Sequence, residues 1–126
     1  MPHTIIYNSE ERVIEIKIQG NVSFREMKEV ITEAAQTVKR QNCFLVLTDM
    51  REARLKLSML EIYQVPKTIT DIFASFELNG YKLKRALVAT NGLKDYSFYE
   101  TVALNRSQHV NFFLDMDEAR KWLFEK

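Results

Sequence analysis

The run Cys43-Phe44-Leu45-Val46-Leu47 is apolar at successive positions rather than at alternate ones, and Thr48 closes it. A strand with one wet face alternates apolar and polar residues, whereas a short unbroken apolar run suits a strand covered on both faces. A chain built around such a strand needs helices on either side of a sheet, which narrows the fold to a layered α/β arrangement. The neighbouring segments fit that requirement. Ile14, Ile16 and Ile18 alternate with Glu15 and Lys17, the period of a half-covered strand. With residues 4–7 they form an expected hairpin across the polar link at 8–12, and Gly20-Asn21 is expected to end the second strand.

Phe24, Met27, Val30, Ile31, Ala34 and Val38 then recur at helical spacing, predicting a helix over 23–41. A second helix is expected after Ser58, broken or kinked at Pro66, because proline lacks the backbone donor and clashes with the preceding turn. Beyond it Ile69, Ile72, Phe73 and Phe76 resume an apolar stripe that should stop near Asn79-Gly80. Residues 85–90 and 110–114 read as strands, 97–107 as a helix, and 116 onward as a closing helix with Ala119, Trp122 and Leu123 on one face. The expected order is ββαβαβαβα over a single domain, 1–126. Strand–helix alternation after the hairpin implies a mixed five-stranded sheet, antiparallel at its first pair and mainly parallel beyond, flanked by about four helices.

Ser23, Ser58 and Ser97 each stand three residues before a glutamate (Glu26, Glu61, Glu100), and Asp115 precedes Glu118 in the same way. Each lies where a helix is expected to begin on other grounds. In such a capping box the first side chain accepts from the third helical amide and the glutamate reaches back to the cap residue's amide.

The bulk numbers exclude several functions. A length of 126 residues suits one domain that buries about two-thirds of its unfolded surface. A net charge of +1, with basic residues dispersed among acids, argues against nucleic-acid binding. Cys43 is the one cysteine, so no internal disulfide or multi-cysteine metal site is expected, and it reads as a buried small hydrophobe. The opening Met1-Pro2-His3-Thr4-Ile5-Ile6 has neither the basic nor the apolar region of a signal peptide, and no run nears the ~20 apolar residues of a spanning helix. A cytoplasmic location is expected.

Catalytic patterns are absent. His3 and His109 have no metal-ligand spacing, and Gly20, Gly80 and Gly92 are too scattered for a phosphate-binding loop. Glu26, Glu29 and Glu33 read as one solvated helix face. No catalytic residue, metal or cofactor is expected, and the chain is read as a non-enzyme. Open α/β sheets bind ligands at the carboxyl ends of their strands. Loops expected there at 48–54 and 91–96 supply Asp49, Arg51, Arg54, Asn91 and Lys94 as candidate polar contacts, beside the free amides of helix starts. The plainer alternative is that Asp49 ties down its own loop and the cations are solvated. Tyr96, in the aromatic-rich stretch 96–99, is a further candidate contact.

The strand ending "FLVLTDMRE", the helix opened by Ser58, the strand "RALVATN" and the closing "VNFFLDMDEARKWL" together resemble the STAS-like proteins of bacteria. These are relatives of the anti-sigma factor antagonist domain, grouped also with lipid-binding CRAL-TRIO-like folds. The likeness spans nearly the whole chain in element order. It implies a mixed sheet flanked by helices, a regulatory protein partner, and a phosphoacceptor serine at the position of Ser58. Where that family has an aspartate before the serine and small residues after it, this chain has Leu57 and Met59-Leu60, which would crowd the serine. Ser58 is therefore read first as a helix cap and second as a phosphoacceptor. Two functions follow: a regulatory, protein-contacting domain that could form a homodimer, or a binder of a small apolar or lipid-like ligand walled by the helix carrying Ile69, Ile72, Phe73 and Phe76. A flush fit of that helix on the sheet would count against the second.

Overall fold

A computed structural model describes residues 3–90 and 109–125. The elements are β1 (His3–Asn8), β2 (Val13–Val22), α1 (Phe24–Gln41), β3 (Leu45–Leu55), α2 (Met59–Ser75), a 3-10 turn (Gly80–Lys82), β4 (Lys84–Val88), β5 (His109–Phe113) and a final helix, α3 (Met116–Leu123). The helix expected at 97–107 lies outside the described residues. The strands are hydrogen-bonded in the order β1-β2-β3-β4-β5. The first pair is antiparallel and the other three are parallel, as the hairpin and the later alternation require.

Both faces of β3 are covered. Val46 and Met50 join Ile14, Ile16 and Ile18 of β2 in a core closed by Val30, Ala34 and Val38 of α1 and by Ile62, Val65, Ile69 and Phe73 of α2. Leu47 points the other way, with Val13, Ala86 and Val88, under Ala119 and Leu123 of α3. Cys43 is buried, and its thiol donates to the Arg12 carbonyl at 3.3 Å.

Three expectations need correction. First, β2 does not end at Gly20-Asn21 but continues to Val22, with Gly20 at φ +77°, a left-handed conformation that favours glycine. Second, β3 does not end at Thr48 but runs on to Leu55, because the added length of β2 gives it a partner: Gln19 faces Glu52 and Val22 faces Leu55. Lys17 faces Asp49, so two steps along β2 match three along β3, which thus carries one extra residue. That bulge changes the parity of the strand. Before it, Val46 and Met50 face the α1/α2 core; after it, Ala53 and Leu55 do. Third, α2 is one continuous helix with Pro66 inside it, and it ends at Ser75 rather than near Asn79-Gly80. Interior proline costs a helix about 3 kcal/mol. Here Ile62 and Val65 before Pro66, and Ile69 and Phe73 after it, anchor both halves in the same core, and Pro66 is itself buried.

Helix starts follow the serine–glutamate pattern. Ser23 and Ser58 both close full capping boxes, with Glu26 and Glu61 respectively. Asp115 caps α3 in a different way: its carboxylate accepts from the Asp117 amide, the second of the helix, at 3.3 Å.

Candidate functional site

Asp49, Arg51 and Arg54, expected on a loop, are strand residues in β3. Asp49 and Arg51 bind each other. The guanidinium donates from Nε to Oδ1 at 3.0 Å and from a terminal nitrogen to Oδ2 at 2.9 Å, and the Arg51 amide donates to Oδ1 at 3.1 Å. The Arg51 side-chain hydrogen bonds hold the Asp49 carboxyl below its usual value of 3.8, and Asp49 in turn raises Arg51. This is the plainer of the two arrangements expected at sequence level: Asp49 ties down its own segment. Glu52 is taken by Gln19 at 2.6 Å and Lys17 at 3.4 Å. Arg54 is exposed, two pairs further along opposite Asn21. Asn91, Lys94 and Tyr96 lie outside the described residues.

The pair sets a pH dependence. A carboxyl with a depressed folded pKa adds stability above its unfolded pKa and loses it as pH falls through the folded value. For Asp49 that window opens near pH 3.8 and extends downward. Asp49→Asn is expected to lower the thermal midpoint slightly near neutrality, where such a pair contributes about 0–1 kcal/mol, and to converge with wild type in acid, where Asp49 is protonated, so that the acid limb is flattened. Melting curves across pH 2–7 check it.

Ser58 is exposed at the N-terminus of α2. Its hydroxyl oxygen accepts from the Glu61 amide at 3.1 Å, while the Ser58 amide donates to the Glu61 carboxylate at 2.8 Å. Met59 and Leu60, which follow Ser58, are 58% and 65% exposed, and Tyr63 is 48% exposed. If Ser58 is a cap, Ser58→Ala should cost about 1 kcal/mol in urea denaturation, whereas Ser58→Asp should keep wild-type stability, because aspartate caps equally well.

A cavity of about 630 Å³ lies between the sheet and the helices α1 and α2, on the side of the helix expected to wall an apolar pocket. Ile16 and Ile18 of β2, Val30 and Ala34 of α1, and Ile62 and Ile69 of α2 are among its apolar lining. Of the expected helical wall, Ile69 and Phe73 line it, while Ile72 and Phe76 pack partly buried against the adjoining core. Residues 51–57, largely exposed, form its rim. Two buried polar side chains also line it, Thr48 of β3 and Arg85 of β4. Sequence reading passed over both. Thr48 closed an apolar run and Arg85 opened a strand, with no role in a site expected of either. A void shows in no periodicity, because it depends on how far helices stand from a sheet.

The histidines are used structurally. His3 meets Glu33 at 2.7 Å, joining β1 to α1, and His109 packs edge-on against Trp122 at 5.1 Å. Trp122 also carries the Lys84 ammonium 4.6 Å above its ring. Among the described residues no cluster of histidine, cysteine or acidic side chains could hold a metal ion, and no helix is long and apolar enough to cross a membrane.

The same architecture is found in solved structures. An uncharacterised protein of the DUF3478 family with a SpoIIAA-like fold, from Shewanella loihica, is similar over 97% of this chain and 92% of its own, at 17% identity and a TM-score of 0.59. An anti-sigma factor antagonist from Mycobacterium paratuberculosis matches over 98% and 96%, at 14% identity and a TM-score of 0.59. The anti-sigma factor antagonist SpoIIAA, in its unphosphorylated form, matches over 97% of each chain at 9% identity and a TM-score of 0.54. No family model matches the chain, and no curated protein matches it. At such identities the likeness is one of architecture: the chain has the SpoIIAA-like, STAS-like fold.

Proposed function

We propose that this chain is a non-enzymatic binding domain that holds a small apolar or lipid-like molecule between α1/α2 and the sheet. The cavity supports this reading. At about 630 Å³ it falls within the about 300–1,000 Å³ of small-molecule sites, with an apolar floor, charged side chains at the rim and the buried Thr48 and Arg85. A helix packed flush on the sheet would have argued against such a ligand; instead Ile62, Val65, Ile69 and Phe73 of α2 all border the space. Calorimetric titration with decanol tests the reading. Saturation at one equivalent with a negative heat-capacity change is expected; no binding up to the solubility limit would defeat it.

A second reading rests on a separate observation. Met59, Leu60 and Tyr63 form an exposed apolar group on the first turns of α2, around Ser58. Aromatic residues and methionine are enriched in protein interfaces, and the group suits a regulatory protein partner or a second copy of this chain. Phosphate on Ser58 would sit at a helix N-terminus, where the dipole favours negative charge. Leu60→Glu should then abolish association without changing decanol affinity; retained association would refute this use of the surface.

A further inference from the structure

β1 is the first strand of the sheet, hydrogen-bonded to β2 on one side, and among the described residues no strand lies on its other side. In an antiparallel pair every second residue turns its N–H and C=O away from its neighbour, so the outer edge of β1 presents a regular row of backbone donors and acceptors. Sheet edges are ordinarily blunted by charge, proline or a bulge. His3-Thr4-Ile5-Ile6-Tyr7-Asn8 holds no lysine, arginine, acid, proline or glycine, and it pairs with β2 without a break in register. β-Branched and aromatic residues, the best strand formers, fill its middle. Ile6, on the face away from the α1/α2 core, is 60% exposed.

We propose that a second copy of this chain pairs along this edge, antiparallel across a two-fold axis at Ile6, joining the two sheets into one. A two-fold axis makes the strand its own partner. Directly opposite residues of an antiparallel pair lie on the same face, and with the axis at Ile6 each Ile6 meets its copy. Ile5 then meets Tyr7 of the second copy, and Thr4 meets Asn8. The first of these, occurring twice, is an aromatic–β-branched pair of the kind that stabilises sheets. It continues the core against which Ile5 and Tyr7 already pack partly buried. An axis at Ile5 would leave Ile6 opposite threonine, with less apolar area covered. Charge does not oppose the pairing. Glu15 and Lys17 stand one strand inward, opposite Ile6 and Thr4. Across the axis Glu15 lies three strand spacings from its copy, about 14 Å, beyond the screening length of about 8 Å at physiological salt. It also has the Arg120 guanidinium 3.8 Å away. Pairing over residues 4–8 is short beside a standard interface of about 800 Å² per partner, so the dimer is weak, with a dissociation constant on the order of 10–100 µM. No residue of β1 borders the cavity, so this inference and the ligand reading stand or fall separately.

Sedimentation velocity on the purified full chain, from about 5 µM to about 1 mM, should pass from monomer to mostly dimer. Ile6→Lys, which places a charge on the edge, should stay monomeric throughout with wild-type circular dichroism. Leu60→Glu, on α2, should dimerise as wild type does. Mild oxidation tests the register and serves if the lysine variant misfolds. Ile6→Cys should cross-link to its copy, since directly opposite Cβ atoms lie about 5 Å apart. Thr4→Cys, also exposed, should not, because the two positions stand four residues apart along the strands, about 13 Å. Cys43 is buried and does not compete. A monomer at every concentration overturns the proposal. So does dimerisation of Ile6→Lys at the wild-type level, or a dimer lost in Leu60→Glu, which would place the contact on α2. Equal cross-linking of the two cysteine variants overturns the axis at Ile6.

Discussion

In Ala34→Phe, decanol affinity is expected to fall at least tenfold or so, while the thermal midpoint holds or rises. Ala34 is 7% exposed, packs in the α1/α2 core and borders the cavity. In a closed core, an added ring would force off-rotamer side chains and cost about 1–3 kcal/mol. Over a real void it occupies empty space, and cavity filling contributes about 0.5–2 kcal/mol. The sign of the stability change thus reports on the cavity independently of any ligand. Differential scanning calorimetry and a decanol titration on the same preparation read both. A destabilised variant that still binds decanol as wild type does would contradict the placement of the site.

Phe73→Ala carries the largest expected stability effect, about 3–5 kcal/mol, the usual range for an aromatic ring removed from a core. Phe73 is 2% exposed and lies in the last turns of α2. It holds the half of that helix beyond Pro66, which cannot lean on an unbroken hydrogen-bond ladder back to the first half. Because Phe73 also borders the cavity, its loss enlarges a space already present, and neighbours have little to collapse onto. Urea denaturation should show the loss in midpoint. A cost below about 1 kcal/mol would mean that α2 is held by contacts other than those described.

How legible this was in the sequence differs by element. The alternation of Ile14, Ile16 and Ile18, the unbroken run at 43–47 and the serine–glutamate pairs are local signals, and the sheet order and two complete capping boxes follow them. The far half of β3 was not legible. Asp49, Arg51, Glu52 and Arg54 read as a polar loop because the bulge interrupts the period of two, and the strand survives there only by pairing with the tail of β2. Pro66 misled for a similar reason: its local penalty is real, but tertiary packing on both sides outweighs it. Of the candidate site, Ser58 and the Asp49 tie were readable from neighbouring residues. A pocket walled by Ile69 and Phe73 was one of two readings, but its size and the burial of Arg85 were not legible, since both depend on the separation of layers distant in sequence.

Isoleucine methyl NMR during decanol titration tests the central claim most directly. Ile16, Ile18, Ile31, Ile62 and Ile69 border the cavity, whereas Ile5, Ile6, Ile14 and Ile72 do not. A ligand held between α1/α2 and the sheet should shift the first group in a saturable way and leave Ile5 and Ile6, on the outer strand, unmoved. Shifts that do not saturate, or that spread equally over both groups, would contradict it.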